Sequence, residues 1–203
     1  MPPERIMVVV PTLDRWVTDS IATFFAKCVY KSFDSSYPYE IAPSTLAKVR
    51  GYAIMRNMAV KRLLDSPFDR LWFIDNDTIL PEDVFELPKV DADVVTLPYP
   101  FVGTMCPAIC NYRDIDDFSK GMKDIEPDEN GLADVNGTGM GCTLIRRHVL
   151  EDKAMHWERD FMTQDGTRMT LPPEAPPPVF RYHMAPNGMT TMGEDFDFCS
   201  RGS

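Results

Sequence analysis

Residues 71–78 read Leu-Trp-Phe-Ile-Asp-Asn-Asp-Thr, an apolar run that stops at two acids, Asp75 and Asp77, one residue apart. Carboxylates at the tip of a buried strand repel each other and lose hydration, so a chain that places two there calls for a cation to neutralise them. In an extended chain, residues two apart point to one side, and a tight turn brings backbone and side-chain oxygens round one ion. Hard oxygen donors of this kind suit magnesium or manganese, which keep coordination positions open for substrate phosphates. The plainer reading is a turn former and helix cap. The four apolar residues directly ahead favour the carboxyl end of a buried strand, where open α/β sheets bind ligands.

A second acidic cluster, Gly193-Glu-Asp-Phe-Asp-Phe198, lies late in the chain. Glu194, Asp195 and Asp197 cannot all be buried and ionised without partners, whereas Phe196 and Phe198 alternate with them as core anchors. One of these acids is a candidate general base, against the alternative of a solvated helix start. Between the clusters, Gly137-Thr-Gly-Met-Gly141 has three glycines in five residues, which lets a backbone approach a ligand closely. Its spacing matches neither the dinucleotide nor the P-loop fingerprint, so a strand-connecting turn stays open as well. Arg56-Asn57, early in a helical stretch, is a candidate phosphate contact or a solvated pair. His148, His156 and His183 are isolated, and of the three His183 is the one worth testing as a metal ligand.

The elements that must position these groups follow from periodicity. Arg5 to Val10 is an apolar, β-branched run broken by Pro11-Thr12, which predicts a buried first strand and then a loop. Asp14 to Lys31 carries Trp16, Val17, Ile21, Phe24, Phe25, Cys28 and Val29 at helical spacing, with Thr12 or Asp14 as the cap. Residues 32–48, rich in Ser, Pro and Tyr, are expected to be a loop that lines the site. Val49 to Leu64 reads as a helix with Ile54, Met58, Val60, Leu63 and Leu64 inward, ended by Ser66-Pro67. The strand Arg70–Ile74 follows, then a short acidic helix opened by Pro81, where the missing N–H costs little. Further strands are expected at 92–98 and 105–112. Residues 113–134 read as an exposed excursion, 133–147 as a glycine turn leading into a strand or helix, and the proline-rich 171–179 as irregular. Alternating strands and helices imply an α/β fold, a mainly parallel sheet with helices on both faces, in one domain.

Composition bounds the rest. A chain of 203 residues suits one well-buried core, and 44% apolar with 26% charged residues is ordinary for a globular protein. A formal charge of −10 argues against a nucleic-acid surface, which needs clustered Lys and Arg. No run approaches the ~18 apolar residues of a membrane span, and the apolar stretch at residues 6–10 is too short for a signal peptide. Five scattered cysteines without a Cys-x-x-Cys pair fit a reducing, cytoplasmic setting. The Asn-x-Thr triplets at Asn76 and Asn136 are read as accidental.

With both acidic clusters placed, the chain resembles nucleotide-sugar glycosyltransferases of the GT-A (Rossmann-like) fold, in particular the small family 2-like enzymes. The matching pieces are VVVPT, Arg56-Asn57-Met-Ala, FIDNDTILPED, NGTGMGCTLIRR and GEDFDFCSR, in the family's order from residue 6 to residue 201. The resemblance implies a single domain, with a nucleotide-binding half over about residues 1–100 and an acceptor half over about 101–203. It implies that Asp75 contacts the nucleotide or its ribose, with Asn76 beside it. Asp77 would bind, together with Asp75, a manganese or magnesium ion bridging the diphosphate. Pro11, Thr12 and Arg56 would line the nucleotide pocket, and the glycine motif around Gly139 would floor the donor sugar. Asp195 would be the catalytic base of an inverting transfer, with Glu194 helping to hold the acceptor. The implied partners are a nucleotide sugar, a UDP-sugar foremost, and a glycan or small-molecule acceptor. Family members continue past the late acidic motif with another strand and often a His metal ligand. The sequence stops at Ser203, and the expectation is either that His183 or water takes that ligand's place or that this is a truncated form.

Two other readings compete. Haloacid dehalogenase-like phosphatases also follow an apolar strand with Asp-x-Asp, although there the motif sits on the first strand. A non-catalytic nucleotide- or calcium-binding protein is the other.

Overall fold

Side-chain alternation along the first strand decides which helix packs where. A computed structural model of the chain describes residues 3–12, 17–47, 51–99, 109–110, 121–162, 168–184, 190–192 and 194–201. In chain order the elements begin with β1 (Glu4–Thr12), α1 (Asp19–Phe33), β2 (Tyr39–Ala47), α2 (Tyr52–Leu64) and β3 (Arg70–Ile74). A 3₁₀ helix (Glu82–Lys89) precedes β4 (Val94–Thr96), β5 (Ile109–Cys110), β6 (Gly137–Thr138), β7 (Cys142–Arg146) and α3 (Arg147–Glu151). The chain continues through β8 (Asp160–Met162), β9 (Arg168–Thr170), β10 (His183–Met184) and β11 (Thr190–Met192) to α4 (Glu194–Arg201).

The central sheet has the order β2-β1-β3-β7-β4. β1 is parallel to β2 and β3, while β7 runs antiparallel to both β3 and β4. Four strands therefore share one direction and β7 is reversed: a mixed, mostly parallel α/β sheet with helices on both faces. β1 and β3 are buried on both sides, as central strands of such a sheet are. Ile6, Val8 and Val10 meet Ile21, Phe24 and Cys28 of α1, with Trp72, Ile74 and the 3₁₀ helix's Val84 and Phe85. Met7 and Val9 face the other way, onto Ala53, Ala59, Val60 and Leu63 of α2, with Leu71, Phe73 and Phe198 of α4. Phe180 stacks on Phe198 at 5.0 Å and meets Phe73 edge-on at 5.6 Å, which seats α4 against the middle of β3.

Several expectations from sequence are corrected. The loop expected over residues 32–48 is confined to a short turn at 34–38 among the described residues: Tyr39–Ala47 form the edge strand β2, where Pro43 is tolerated because its missing N–H falls on an edge. Pro11 and Thr12 do not end the first strand but are its last two residues, opposite Leu46 and Ala47. Thr18 caps α1 in place of Thr12 or Asp14, accepting from the Ile21 N–H at 3.4 Å, and Asp14 lies outside the described residues. Helix α2 starts at Tyr52 rather than Val49, and Ile54, expected inward, is 55% exposed. Its buried face is Ala53, Met55, Arg56, Ala59, Val60 and Leu63, so a charged residue takes a position the hydrophobic pattern assigned to an aliphatic one. Of the strand expected at 105–112, Ile109–Cys110 is described and is a strand; the rest lies outside the described residues.

The far end of α2 is closed by Arg147, whose guanidinium donates to the Leu63, Leu64, Ser66 and Phe68 carbonyls. With its C-terminus fixed against β7 in this way, the first turns of α2 are held over the carboxyl end of β3. Leu71 is fully buried under that helix, whereas Ile79, just past the acid turn, is 85% exposed. Leu71→Ala is expected to lower unfolding free energy by about 2–5 kcal/mol and Ile79→Ala by less than about 0.5, read by chemical denaturation.

Candidate functional site

Strand β3 delivers Asp75 one residue past its end. The Asp75 N–H donates to the Gly141 carbonyl at 2.9 Å, extending the β3–β7 pairing by one bond. The Thr78 N–H then returns to the Asp75 carbonyl at 3.0 Å, so Asp75–Thr78 is a tight turn, and the Thr78 hydroxyl pins it to Gly141 at 3.0 Å. Asp75 is 21% exposed and Asp77 lies open to solvent. Burial, then Asp75, then Asp77 raise the Tyr52 phenol above its ordinary value, so both carboxylates act on one side chain at the start of α2.

Asn76, between the acids, has a different task. Its side-chain carbonyl accepts from the Thr18 N–H at 3.1 Å, and its backbone carbonyl accepts from the Thr18 hydroxyl at 2.9 Å. That oxygen docks the α1 cap onto the acid turn and is spent on structure. Pro11 and Thr12 are buried at the carboxyl end of β1, on the same edge of the sheet as Asp75.

The centre of the site is Arg56, 2% exposed, reached by three carboxylates from two distant parts of the chain. Its Nη1 lies 3.4 Å from Asp75 Oδ1, and its Nε lies 3.4 Å from Glu194 Oε1 and 3.1 Å from Asp195 Oδ1. The guanidinium also sits 5.4 Å from the Phe73 ring centroid and 5.9 Å from that of Tyr52. Burial works against its charge, and Asp195, Asp75 and Glu194 together more than offset this, holding the guanidinium firmly protonated. Expected to face a phosphate, Arg56 is instead an internal strut enclosed by acids.

Asp195 is the most perturbed carboxyl of the site. Burial pushes it up to about 6, Glu194 and Asp75 add to the rise, and Arg56 and the Met140 N–H oppose it. The Met140 N–H donates to Asp195 Oδ2 at 3.1 Å, so the glycine motif holds the acid rather than only flooring a cavity. The Thr143 and Thr138 hydroxyls lie 2.9 Å and 3.0 Å from the Gly139 carbonyl and 2.9 Å and 3.1 Å from Thr96 Oγ1, a cluster that shares one proton per hydroxyl among these contacts. These bonds lock the motif onto β4 and β7. Gly141 is obligatory for a steric reason: a Cβ there would lie 2.4 Å from Cζ of Tyr99, whose hydroxyl accepts from the Gly141 N–H at 2.8 Å.

Glu194 and Asp197 have structural partners. The Tyr182 hydroxyl bonds Glu194, and burial together with that carboxylate pushes the phenol up to about 12. Asp197 accepts from the Trp157 indole at 3.0 Å and pairs with Arg201 at 2.8 Å. Asn57, beside Arg56, clamps the Phe180 backbone by exchanging two bonds of 2.7 Å and 2.9 Å, which fixes the segment carrying Tyr182. Tyr52, Tyr99, Tyr182 and the Met140 N–H were not singled out by sequence. They have no spacing signature, and only the Pro98-Tyr99-Pro100 context hints at a fixed aromatic.

The donor set fits a divalent cation of the magnesium or manganese kind held jointly with a ligand. Two carboxylates on one turn, one of them exposed, are the usual protein share of such a site, the remaining positions going to phosphate and water. Among the described residues no group of three or more His, Cys, Asp and Glu side chains is placed to hold a metal ion. His183 lies in β10, opposite Met192 of β11, and its side chain is outside the described residues. His148 is at the surface beside Asp93 at 3.2 Å, and the His156 Nε2 contacts the Leu150 carbonyl at 2.9 Å.

No protein-family model matches the chain, and no curated protein matches it. Among solved structures, the chain is similar to the crystal structure of A197 from STIV, at 19% identity and a TM-score of 0.49, over 94% of this chain and 95% of that one. Among the described residues, no helix is long and apolar enough to cross a membrane.

Two outcomes follow from this geometry. Gly141→Ala is expected to cost about 1–3 kcal/mol, because Tyr99 must leave its place or the β7 start must shift, and Tyr99→Phe about 0.5–1.5 kcal/mol for one lost hydrogen bond. Asp195, raised from 3.8 to about 6, binds its proton more tightly folded than unfolded. Its contribution to stability therefore falls as pH rises through that window and is constant above it. The stability difference between Asp195→Asn and the parent should move in the variant's favour from about pH 4 to about pH 7, measured by denaturation at stepped pH.

Proposed function

We propose that the chain is a metal-dependent glycosyltransferase that moves a sugar from a nucleotide-diphosphate sugar, a UDP-sugar foremost, to an acceptor hydroxyl, with inversion and a single carboxylate base. The observation that carries this reading is the convergence on Arg56 of Asp75, at the head of the acid turn, and Asp195, at the start of α4. The two acidic segments, more than a hundred residues apart, share one locus at the carboxyl end of the sheet. A reaction that needs a cation-holding acid pair and a proton-accepting carboxylate within one sugar of each other is supported by that shared locus.

In this scheme the acceptor oxygen attacks the anomeric carbon while the bond from that carbon to the diphosphate oxygen breaks, and the electron pair leaves with the nucleoside diphosphate. Asp195 takes the hydroxyl proton as the new glycosidic bond forms. Its perturbed acidity suits that task, since a carboxyl lifted to about 6 is still mostly ionised at pH 7 and is more basic than an exposed one. Asp75 and Asp77 would hold the cation, which would supply Lewis-acid stabilisation of the charge that develops on the leaving group. Glu194, buried and tied to Arg56 and Tyr182, positions Asp195, and the Met140 N–H fixes its second oxygen. One essential carboxylate suffices because the leaving group is already a good one, unlike the two required by most glycoside hydrolases.

Asp77→Ala is expected to abolish manganese-dependent binding of nucleoside diphosphates in calorimetry. Asp195→Asn should retain that binding and lose transfer by about 10²–10⁴-fold. Equal UDP affinity with and without manganese, or turnover of a generic phosphate ester in place of UDP-sugars, would reject the assignment.

A further inference from the structure

The two oxygens of Asp195 are not equivalent. Oδ1 has no solvent-accessible surface and no hydrogen bond of good geometry, yet it lies 3.1 Å from the Arg56 Nε. Oδ2 accepts the Met140 N–H, and the carboxylate side chain as a whole keeps 20% of its surface. That surface lies on the rest of the side chain, Cβ and Oδ2, and Oδ2 keeps one lone pair beside the one taken by Met140. We propose that Arg56 is a positioning residue for the base: it sequesters Asp195 Oδ1 electrostatically, so that Oδ2, oriented by the Met140 N–H, is the single atom that receives the acceptor's proton. This inference rests on the transferase reading and names an atom within it.

The charges around the carboxylate define what Arg56 must do. From α2 comes Arg56 itself, from the end of β3 Asp75, from α4 Glu194, and from beyond β4 and before β10 the phenols of Tyr99 and Tyr182. Arg56 is the one cation among these groups. Without it, Asp195 would face Asp75 and Glu194 at low dielectric, take up a proton, and lose both its charge and its preferred rotamer. Glu194 has the opposite effect, because it shares the same Nε and adds a like charge.

The two neighbours should therefore move the Asp195 titration in opposite directions, which a merely structural brace would not do. Carboxyl ¹³C signals of Asp-labelled protein, assigned with Asp195→Asn, read the titration directly and need no substrate. Arg56→Gln is expected to raise it by about 1–3 pH units and Glu194→Gln to lower it. In the transfer assay with saturating donor, at a pH where Asp195 is ionised in both proteins, Arg56→Gln should still reduce kcat about tenfold or more with acceptor KM changed little. That residual deficit is the orientation component. An unmoved titration in Arg56→Gln overturns the proposal, as does a same-sign shift in both variants or a full recovery of kcat at high pH. Should Arg56→Gln fail to fold, a Glu194→Gln titration that stays put or rises overturns it alone. Absence of transfer with opposite shifts intact would count against the transferase reading and not against the Arg56–Asp195 coupling.

Discussion

One buried guanidinium holds the upper edge of the molecule together. Arg56 sits where the hydrophobic pattern of α2 would put an aliphatic side chain, and its burial is tolerable only because three carboxylates enclose it. Buried ion pairs of this kind are poor stabilisers compared with well-packed apolar groups, and breaking one from a single side is costly. A chain that keeps such an arrangement gains placement from it: β3, α2 and α4 cannot slide past one another without leaving a charge unpaired at low dielectric. The apolar contacts around it, Phe73, Phe180 and Phe198, set the distance between elements, and the guanidinium sets their angular register.

The same constraint creates the reactivity. A single positive charge among Asp75, Glu194 and Asp195 leaves the locus with an excess of negative charge, and Asp77 adds to it from the exposed side of the turn. Asp195, enclosed and fixed by the Met140 N–H, answers that excess with a raised pKa, whereas Asp77 stays open to solvent. Asp195 and Asp75 meet different nitrogens of the guanidinium, Nε and Nη1.

Legibility from sequence followed the range of each determinant. The acid turn was readable because its cause is local: a buried strand, an abrupt change to carboxylates, and a proline opening the next helix. The α/β class and the helices on both faces were readable from the apolar runs at residues 5–10 and 70–74 and from the helical stretches at 14–31 and 49–64 that alternate with them. β2 was not, because an edge strand tolerates Pro43 and half-buried polar residues, and these look like loop chemistry when read alone. The role of Arg56 was invisible for a deeper reason. Its partner Glu194 lies 138 residues away, and nothing in the local pattern distinguishes an arginine that snorkels to water from one that is sealed by acids. Tyr99 and Tyr182 share that fate, being defined by contacts to Gly141 and Glu194 rather than by neighbours in the chain.

Helix α4 shows why one acid of three is left to act. Glu194 and Asp197, one turn apart, lie on the face that packs inward with Phe198, where Arg56 and Tyr182 take the first and Trp157 and Arg201 the second. Asp195 projects about 100° round the helix from Glu194, toward β6 and the glycine motif, and meets a backbone N–H and the Arg56 Nε that it shares with Glu194 instead of a dedicated side-chain donor. The acids on either side are therefore anchors and the one between them is only half satisfied. Incomplete satisfaction is expensive in a folding unit and is kept where it does something. On a helix start pressed against the carboxyl end of the sheet, near the acid turn, that half-met carboxylate is the feature on which the proposed proton-accepting role rests.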